Sequence, residues 1–175
     1  MSQEDKQFMQ SVKKTTTFEN GHYSIGLPLK NHKLPMPKNR CMAEQRLASL
    51  RRKFRKDPGF YEDYKCFMDN VVEKGYAVRV PDDQLNRADA RVSYIPHHGV
   101  YHPKKRKIRV VFDCAASFQD QSLNSRLLQG PNMTNTLVGV LLRFREEPVA
   151  MMADIESMFY QVKVPEHDAD LQRFL

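Results

Sequence analysis

The sequence has 175 residues, a hydrophobic fraction of 41% and a formal net charge of +7 at pH 7. This length suffices for about one domain with its own core. No apolar stretch approaches the roughly 18 residues of a membrane span, and the N-terminal residues lack the apolar region of a signal peptide. Three widely separated cysteines argue against a disulfide framework. We therefore expect a soluble intracellular protein.

Positive charge is concentrated in two segments of the sequence. Residues 30–56 contain ten lysines and arginines but one acidic residue, and residues 104–109 contain five basic residues and no acid. Such local charge density favours a polyanionic partner such as nucleic acid. The alternative is that the basic residues form an ordinary solvated helix face.

The N-terminal third of the sequence predicts a tail, an extended segment, a loop and a helix. Residues 1–20 are polar without a sustained period and predict a mobile tail, residues 21–29 alternate weakly, and residues 30–38 form a proline-containing loop. A helix is expected over residues 40–56, with Asn39 as its N-cap. Its apolar stripe comprises Ala43, Leu47, Leu50 and Phe54. The remaining surface of this helix is mostly basic, which would suit contact with phosphates.

A second helix is expected between Asp57 and Gly75, followed by a short strand over residues 75–81. Its apolar residues recur at helical spacing, and Gly75 suits the position after the helix. The aromatic side chains of this helix are better explained as core than as ligand contacts. The recurring residues are Phe60, Tyr64, Phe67, Met68, Val71 and Val72.

Two strands, at residues 94–102 and 108–112, are expected to form a hairpin. The connecting residues 103–107 are almost entirely cationic, which a phosphate target explains better than a solvated turn. Arg109 could bind a triphosphate through two hydrogen bonds, although it could also be an ordinary exposed arginine. Which of Lys104, Lys105, Arg106 and Lys107 would contact phosphate is left open.

The C-terminal third of the sequence predicts a loop, a helix and an apolar strand that ends at a carboxylate. Residues 115–125 are small and polar, and a helix marked by Met133, Leu137, Val140, Leu141 and Phe144 is opened by residues 130–132 and ends before Pro148. The apolar run 149–154 predicts a buried strand. Helical turns are expected at 156–161, and a further element begins at 165.

Asp154, at the end of the predicted strand, could supply a hard oxygen ligand to Mg²⁺, as two-metal nucleotidyl transfer requires. It could equally cap the following turn. Phe159 could place a ring beside the nucleotide sugar and exclude a 2′-hydroxyl, with ordinary core packing as the alternative. His97, His98 and His102 have no carboxylate or cysteine at zinc-site spacing. Asp113 is expected to be a structural hydrogen-bond acceptor.

Several motifs in order resemble the reverse transcriptase of LTR retrotransposons, in particular the Bel/Pao type. The resemblance runs from about residue 21 to residue 175. The segments that carry it are KIRVVFDCAA at 107–116, SLN at 122–124, LLQGP at 127–131, LLRFR at 141–145 and ADIESMFYQV at 153–162.

The resemblance implies an α+β fold, a partial right-hand polymerase with fingers at about residues 21–125 and the start of the palm at about residues 126–175. It implies a Mg²⁺ cofactor, template–primer and deoxynucleotide partners, and a cytoplasmic virus-like particle or the nucleus as location. By motif position, Asp154 and the Ile155 carbonyl would be metal ligands. The nucleotide-binding residues would be Arg109, Ile155, Phe159, Gln161 and either Lys104 or Lys105.

One departure from the family governs the expected activity. The Tyr/Phe-x-Asp-Asp hairpin, which brings the other catalytic carboxylates, is absent from the sequence, as are most of the palm, the thumb and RNase H. The sequence therefore predicts a piece of a Pol polyprotein that is inactive alone. One alternative is a domesticated, non-enzymatic, basic nucleic-acid-binding protein. Another is an unrelated α/β protein whose Asp154 binds a metal for hydrolysis.

Overall fold

A computed structural model describes residues 1–87, 91–104 and 106–175 of the chain. The chain divides into two units: unit 1 comprises Met1–Pro28 and Leu128–Lys163, and unit 2 comprises Leu29–Leu127 and Val164–Leu175. Helices and small sheets occur together, as expected for an α+β protein. The division into fingers and palm remains a prediction. Within the described ranges, no helix combines the length and apolar character needed to cross a membrane.

Unit 1 begins with a helix that sequence periodicity did not indicate, α1 (Gln3–Thr15). A capping box starts it: the Asp5 N–H donates to Ser2 Oγ at 3.0 Å, and the Ser2 N–H donates to Asp5 Oδ2 at 2.8 Å. Two antiparallel strands follow, β1 (Thr17–Glu19) and β2 (His22–Ser24). Asn20 and Gly21 join them with positive φ angles of 52° and 79°, the conformation that a tight hairpin turn requires.

The helix expected from residue 130 onward starts later, after Thr136. In unit 1 the Thr136 side chain accepts a hydrogen bond from the Gly139 N–H at 3.3 Å, which sets the start of the helix at Leu137. Upstream, Asn132 Oδ1 accepts from the Thr134 N–H at 3.0 Å, and this local turn competes with helical hydrogen bonding.

The prediction of a buried strand over residues 149–154 is wrong. All these residues are described, and neither helix nor strand covers them. The Met151 side chain is 90% exposed, so the run forms no core face. A strand needs a partner for its backbone groups as well as an apolar sequence. The sheet of unit 1 takes a later segment instead: β5 (Val162–Lys163) pairs parallel to β2, after a 3-10 turn at Met158–Gln161.

Unit 2 contains the two predicted helices, α2 (Arg40–Lys56) and α3 (Pro58–Glu73). Asp57 separates them, and its side chain accepts from the Phe60 N–H at 2.9 Å to cap α3. Gly75 follows α3 with φ +70°, as predicted. Asn39 precedes α2 but makes no side-chain cap. Its amide instead bonds the backbone of Tyr94 in both directions, at 2.8 and 2.9 Å, because a buried amide must satisfy its donors and its acceptor.

The aromatic residues of the predicted apolar stripe of α3, Phe60, Tyr64 and Phe67, belong to the core, as predicted. Phe60 is 1% exposed and Tyr64 is also buried; both pack with Leu50 of α2 and with Val110. Val110 lies in the predicted hairpin, formed by β3 (His97–Tyr101) and β4 (Ile108–Phe112) in antiparallel register. The strand expected over residues 75–81 is wrong. In these described residues the chain turns and runs irregularly into a 3-10 turn at Asp82–Gln84.

Two short helices complete unit 2. The first, α4 (Leu123–Arg126), lies at the end of the predicted loop 115–125 and is capped by Ser122. The second, α6 (Glu166–Ala169), numbered after α5 (Leu137–Phe144) of unit 1, leads into a 3-10 turn at Asp170–Gln172. Beyond it the chain pairs with residues 93–95, where the Ile95 N–H donates to the Arg173 carbonyl at 2.7 Å.

Candidate nucleic-acid interface

The hairpin lies against α3 at unusually short range because Gly99 has no side chain. A Cβ atom on Gly99 would stand 2.8 Å from Phe60 Cζ and 2.9 Å from Tyr64 Cδ2. Gly99 is paired with Val110, which is buried on the same face of the hairpin. The helix aromatics therefore contact the strand backbone directly, and they fix the position of the residues on the opposite face.

Alternation along β4 gives the hairpin one buried and one exposed face. Ile108, Val110 and Phe112 are turned toward the core, whereas Arg109 and Val111 are exposed. Arg109 is paired across the ladder with Val100, which is itself exposed. In the part of the chain that the structure describes, no acidic side chain pairs with the Arg109 guanidinium.

Two backbone hydrogen bonds join the described ends of the loop between the strands. The Arg106 N–H donates to the His102 carbonyl at 3.0 Å, and the His102 N–H donates to the Lys107 carbonyl at 2.9 Å. The side chains of Lys104, Arg106 and Lys107 are exposed. The predicted phosphate contact at Lys105 lies outside the described residues. Because hydrogen bonds hold the backbone and these three cations are exposed, the loop presents a positively charged surface to solvent.

Asp63 of α3 is an acidic residue that contacts this hairpin, and its carboxylate already accepts a hydrogen bond. The Tyr101 hydroxyl donates to Asp63 Oδ2 at 2.7 Å. This hydrogen bond to the carboxylate raises the pKa of Tyr101 to about 12. Sequence reasoning missed this pair, because nothing in the spacing of residues 63 and 101 indicates that they meet.

His97 fastens the base of the hairpin within unit 2. Its Nε2–H donates to the Leu175 carbonyl at 2.7 Å, so Nδ1 is the acceptor for the Tyr64 hydroxyl. Burial lowers the pKa of His97 and raises that of Tyr64, which keeps both side chains neutral. The role predicted for Asp113 is confirmed: its Oδ1 accepts a hydrogen bond from the Ala115 N–H at 3.1 Å.

The predicted catalytic residue, Asp154, belongs to unit 1, as do the other predicted site residues after it, whereas Arg109 and Lys104 belong to unit 2. Asp154 and Ile155 lie in the irregular segment before the 3-10 turn, and both are exposed. Phe159 is 87% exposed, so core packing does not explain it. Gln161 Nε2 donates to the Glu156 carbonyl at 2.9 Å. Its predicted place beside a nucleotide remains a prediction.

The described residues do not fit a magnesium centre on their own. A two-metal site needs several hard oxygen ligands in one place. Asp154 contributes one carboxylate, and no group of three or more histidine, cysteine, aspartate or glutamate residues able to hold an ion occurs in the described ranges.

Comparison with known proteins adds no relative from which function could be transferred. No family model, curated protein or solved structure matches the chain. The Bel/Pao resemblance therefore rests on the order of its sequence motifs.

Proposed function

We propose that this chain is the fingers-bearing part of an RNA-directed DNA polymerase of the Bel/Pao retrotransposon type. In this proposal the hairpin β3–β4 binds nucleic acid and the incoming nucleoside triphosphate. The supporting observation is the exposed face of the hairpin, where Arg109 stands close in sequence to the exposed cations Lys104, Arg106 and Lys107. In the described part of unit 2, Asp63, the carboxylate bonded to this hairpin, already accepts from Tyr101.

The chemistry of these side chains suits phosphate. Arginine stays charged at physiological pH and can bind two phosphate oxygens with its planar fork. Lys104 and Lys107 would add point charges that displace counterions from further phosphates. Asp154 would contribute one carboxylate to polymerisation, so the proposal includes that the chain alone does not extend a primer.

Neutralising the loop tests nucleic-acid binding. The triple substitution Lys104→Gln, Arg106→Gln and Lys107→Gln is expected to make the slope of log K against log salt shallower by about 2–3 for a duplex, since each lost phosphate contact removes about 0.9. Fluorescence anisotropy over a salt series would measure it. The matched control replaces Lys6, Lys13 and Lys14 of α1 by glutamine and removes the same net charge. Equal slopes for the two variants would contradict the proposal.

The non-enzymatic alternative, a basic nucleic-acid-binding protein, is favoured by the exposed, irregular segment around Asp154. The two functions differ at Arg109. If Arg109 binds triphosphate, a deoxynucleoside triphosphate is expected to displace duplex from the chain. Arg109→Lys is then expected to weaken this displacement about tenfold, because lysine keeps the charge but lacks the planar guanidinium that binds two oxygens. Arg79→Lys, at an exposed site in the same unit, serves as control. Displacement unaffected by Arg109→Lys would favour the non-enzymatic function.

A further inference from the structure

Charge is segregated between the two packed helices of unit 2. Helix α2 carries seven lysines and arginines and one acidic residue, whereas α3 carries four acidic residues and one lysine. A protein whose basic residues only served solubility would not need this separation, because mixed charges solubilise a surface equally well. The basic surface of α2 therefore calls for a separate explanation.

Four cations near the end of α2 lie outside its apolar stripe. The stripe buries Ala43 and Leu50. Helical periodicity places Arg51 above Arg55 and Arg52 above Lys56, as two adjacent i,i+4 pairs on the exposed arc. We call these four side chains the α2 quartet; all four residues are exposed.

The other polar interactions of α2 leave most of the quartet unneutralised. Arg40 pairs with Glu44 at 3.0 Å, Lys53 lies 3.7 Å from the centre of the Phe60 ring, and Arg52 donates to Ser49 Oγ at 2.9 Å. Within the described ranges, Arg51, Arg55 and Lys56 make no side-chain hydrogen bond or ion pair. Three cations on neighbouring turns therefore face solvent together.

Helix stability alone does not account for the quartet. Cations in the last turn stabilise a helix by about 0.3–1 kcal/mol through its dipole, which would explain Arg55 and Lys56. Arg51 and Arg52 lie one turn earlier, and like charges at i,i+4 cost about 0.2–0.5 kcal/mol per pair. The arrangement is thus locally unfavourable in two pairs, and an external polyanion would relieve the repulsion.

The chemistry of α2 narrows the choice of polyanion. Single-strand sites combine cations with aromatic rings on which bases stack. The aromatic residue of α2, Phe54, is half-buried and packs against Phe60, Tyr61 and Tyr64. The exposed arc therefore offers charge without a stacking platform. A duplex has the higher phosphate density, so counterion release favours it over a single strand on such a surface.

From these observations we infer that the α2 quartet is a second nucleic-acid contact, one that binds the sugar–phosphate backbone of a duplex without reading its sequence. The inference rests on the proposed nucleic-acid-binding function and deepens it by naming the form of the partner. Contacts to phosphate position a protein on a duplex and carry no base information. The quartet would therefore add affinity to whatever the hairpin binds.

The test neutralises the three unpaired members of the quartet, with Arg51→Gln, Arg55→Gln and Lys56→Gln in the full chain. For this variant, the slope of log K against log salt for duplex binding is expected to be shallower than that of wild type by about 2–3. The change should be similar for duplexes of different sequence, since phosphate contacts carry no base information. The slope for a single strand should change less, by about 0.7 per contact. The Lys6, Lys13 and Lys14 glutamine variant is again the matched control, and circular dichroism checks that α2 remains helical.

The outcomes separate this inference from the proposed function. If wild type and the hairpin variant behave as proposed but the α2 variant binds duplex like wild type, the second contact is overturned and the proposed function survives. If the α2 variant alone loses duplex binding, the second contact stands and the hairpin proposal fails. An α2 variant that loses affinity for single strands and retains it for duplexes overturns the inference.

Discussion

Replacing Phe60 by alanine is expected to lower the free energy of unfolding by about 3–5 kcal/mol. Phe60 is the most buried large side chain of the core of unit 2, at 1% exposure. Its ring lies 5.8–5.9 Å from the rings of Phe54, Tyr64 and Tyr101, measured between centroids. Truncation would remove all of these contacts and leave a cavity that three rings from different elements cannot readily fill. Urea denaturation followed by circular dichroism would measure the loss.

The matched control for this substitution lies on the same helix. Val72 belongs to α3 but is 53% exposed. Val72→Ala is expected to change the free energy of unfolding by no more than about 0.5 kcal/mol, because little apolar area is lost and alanine is the better helix former. Equal effects of the two substitutions would mean that Phe60 does not organise this core.

Unit 2 shows which features a sequence can predict. Helix α2 begins and ends at the predicted residues, Arg40 and Lys56. The reason is local: an apolar stripe at helical period fixes the middle, and the Asp57–Gly59 segment fixes the end. The hairpin is also determined locally, because residues with high strand propensity lie on both sides of a turn. Asn39 shows the limit, because its side chain serves Tyr94, a residue distant in sequence, rather than the adjacent helix.

Unit 1 shows what a sequence could not predict. The run at residues 149–154 has the composition of a buried strand, but strand formation depends on a partner that is not encoded in the run itself. The structure pairs β2 with Val162–Lys163 instead. In the candidate interface, an exposed Arg109 was among the expectations from the sequence, and the structure places Arg109 on the exposed face of β4. The Tyr101–Asp63 bond and the close approach at Gly99 are tertiary features without a local signal.

Replacing Gly99 by alanine is expected to destabilise unit 2 by about 1–3 kcal/mol, the usual cost of overfilling a packed core. The new Cβ would stand 2.8 Å from Phe60 Cζ and 3.0 Å from Ile108 Cδ1. Since Phe60 is held on several sides by other rings, the strand must move instead. The entropic benefit of replacing glycine, about 0.4–1 kcal/mol, is smaller and has the opposite sign. Urea denaturation measures the net change.

Gly59→Ala is the matched control, because it adds the same methyl group within unit 2 where space is available. Its Cβ would lie 3.6 Å from Asp57 Oδ1, an ordinary contact, within the first turn of α3. Alanine there should be neutral or stabilising by up to about 1 kcal/mol. If Gly99→Ala were as stable as Gly59→Ala, the hairpin would not depend on close approach to α3. If instead only Gly99→Ala loses stability and also binds duplex more weakly, the packing of β3 on α3 positions the cationic face.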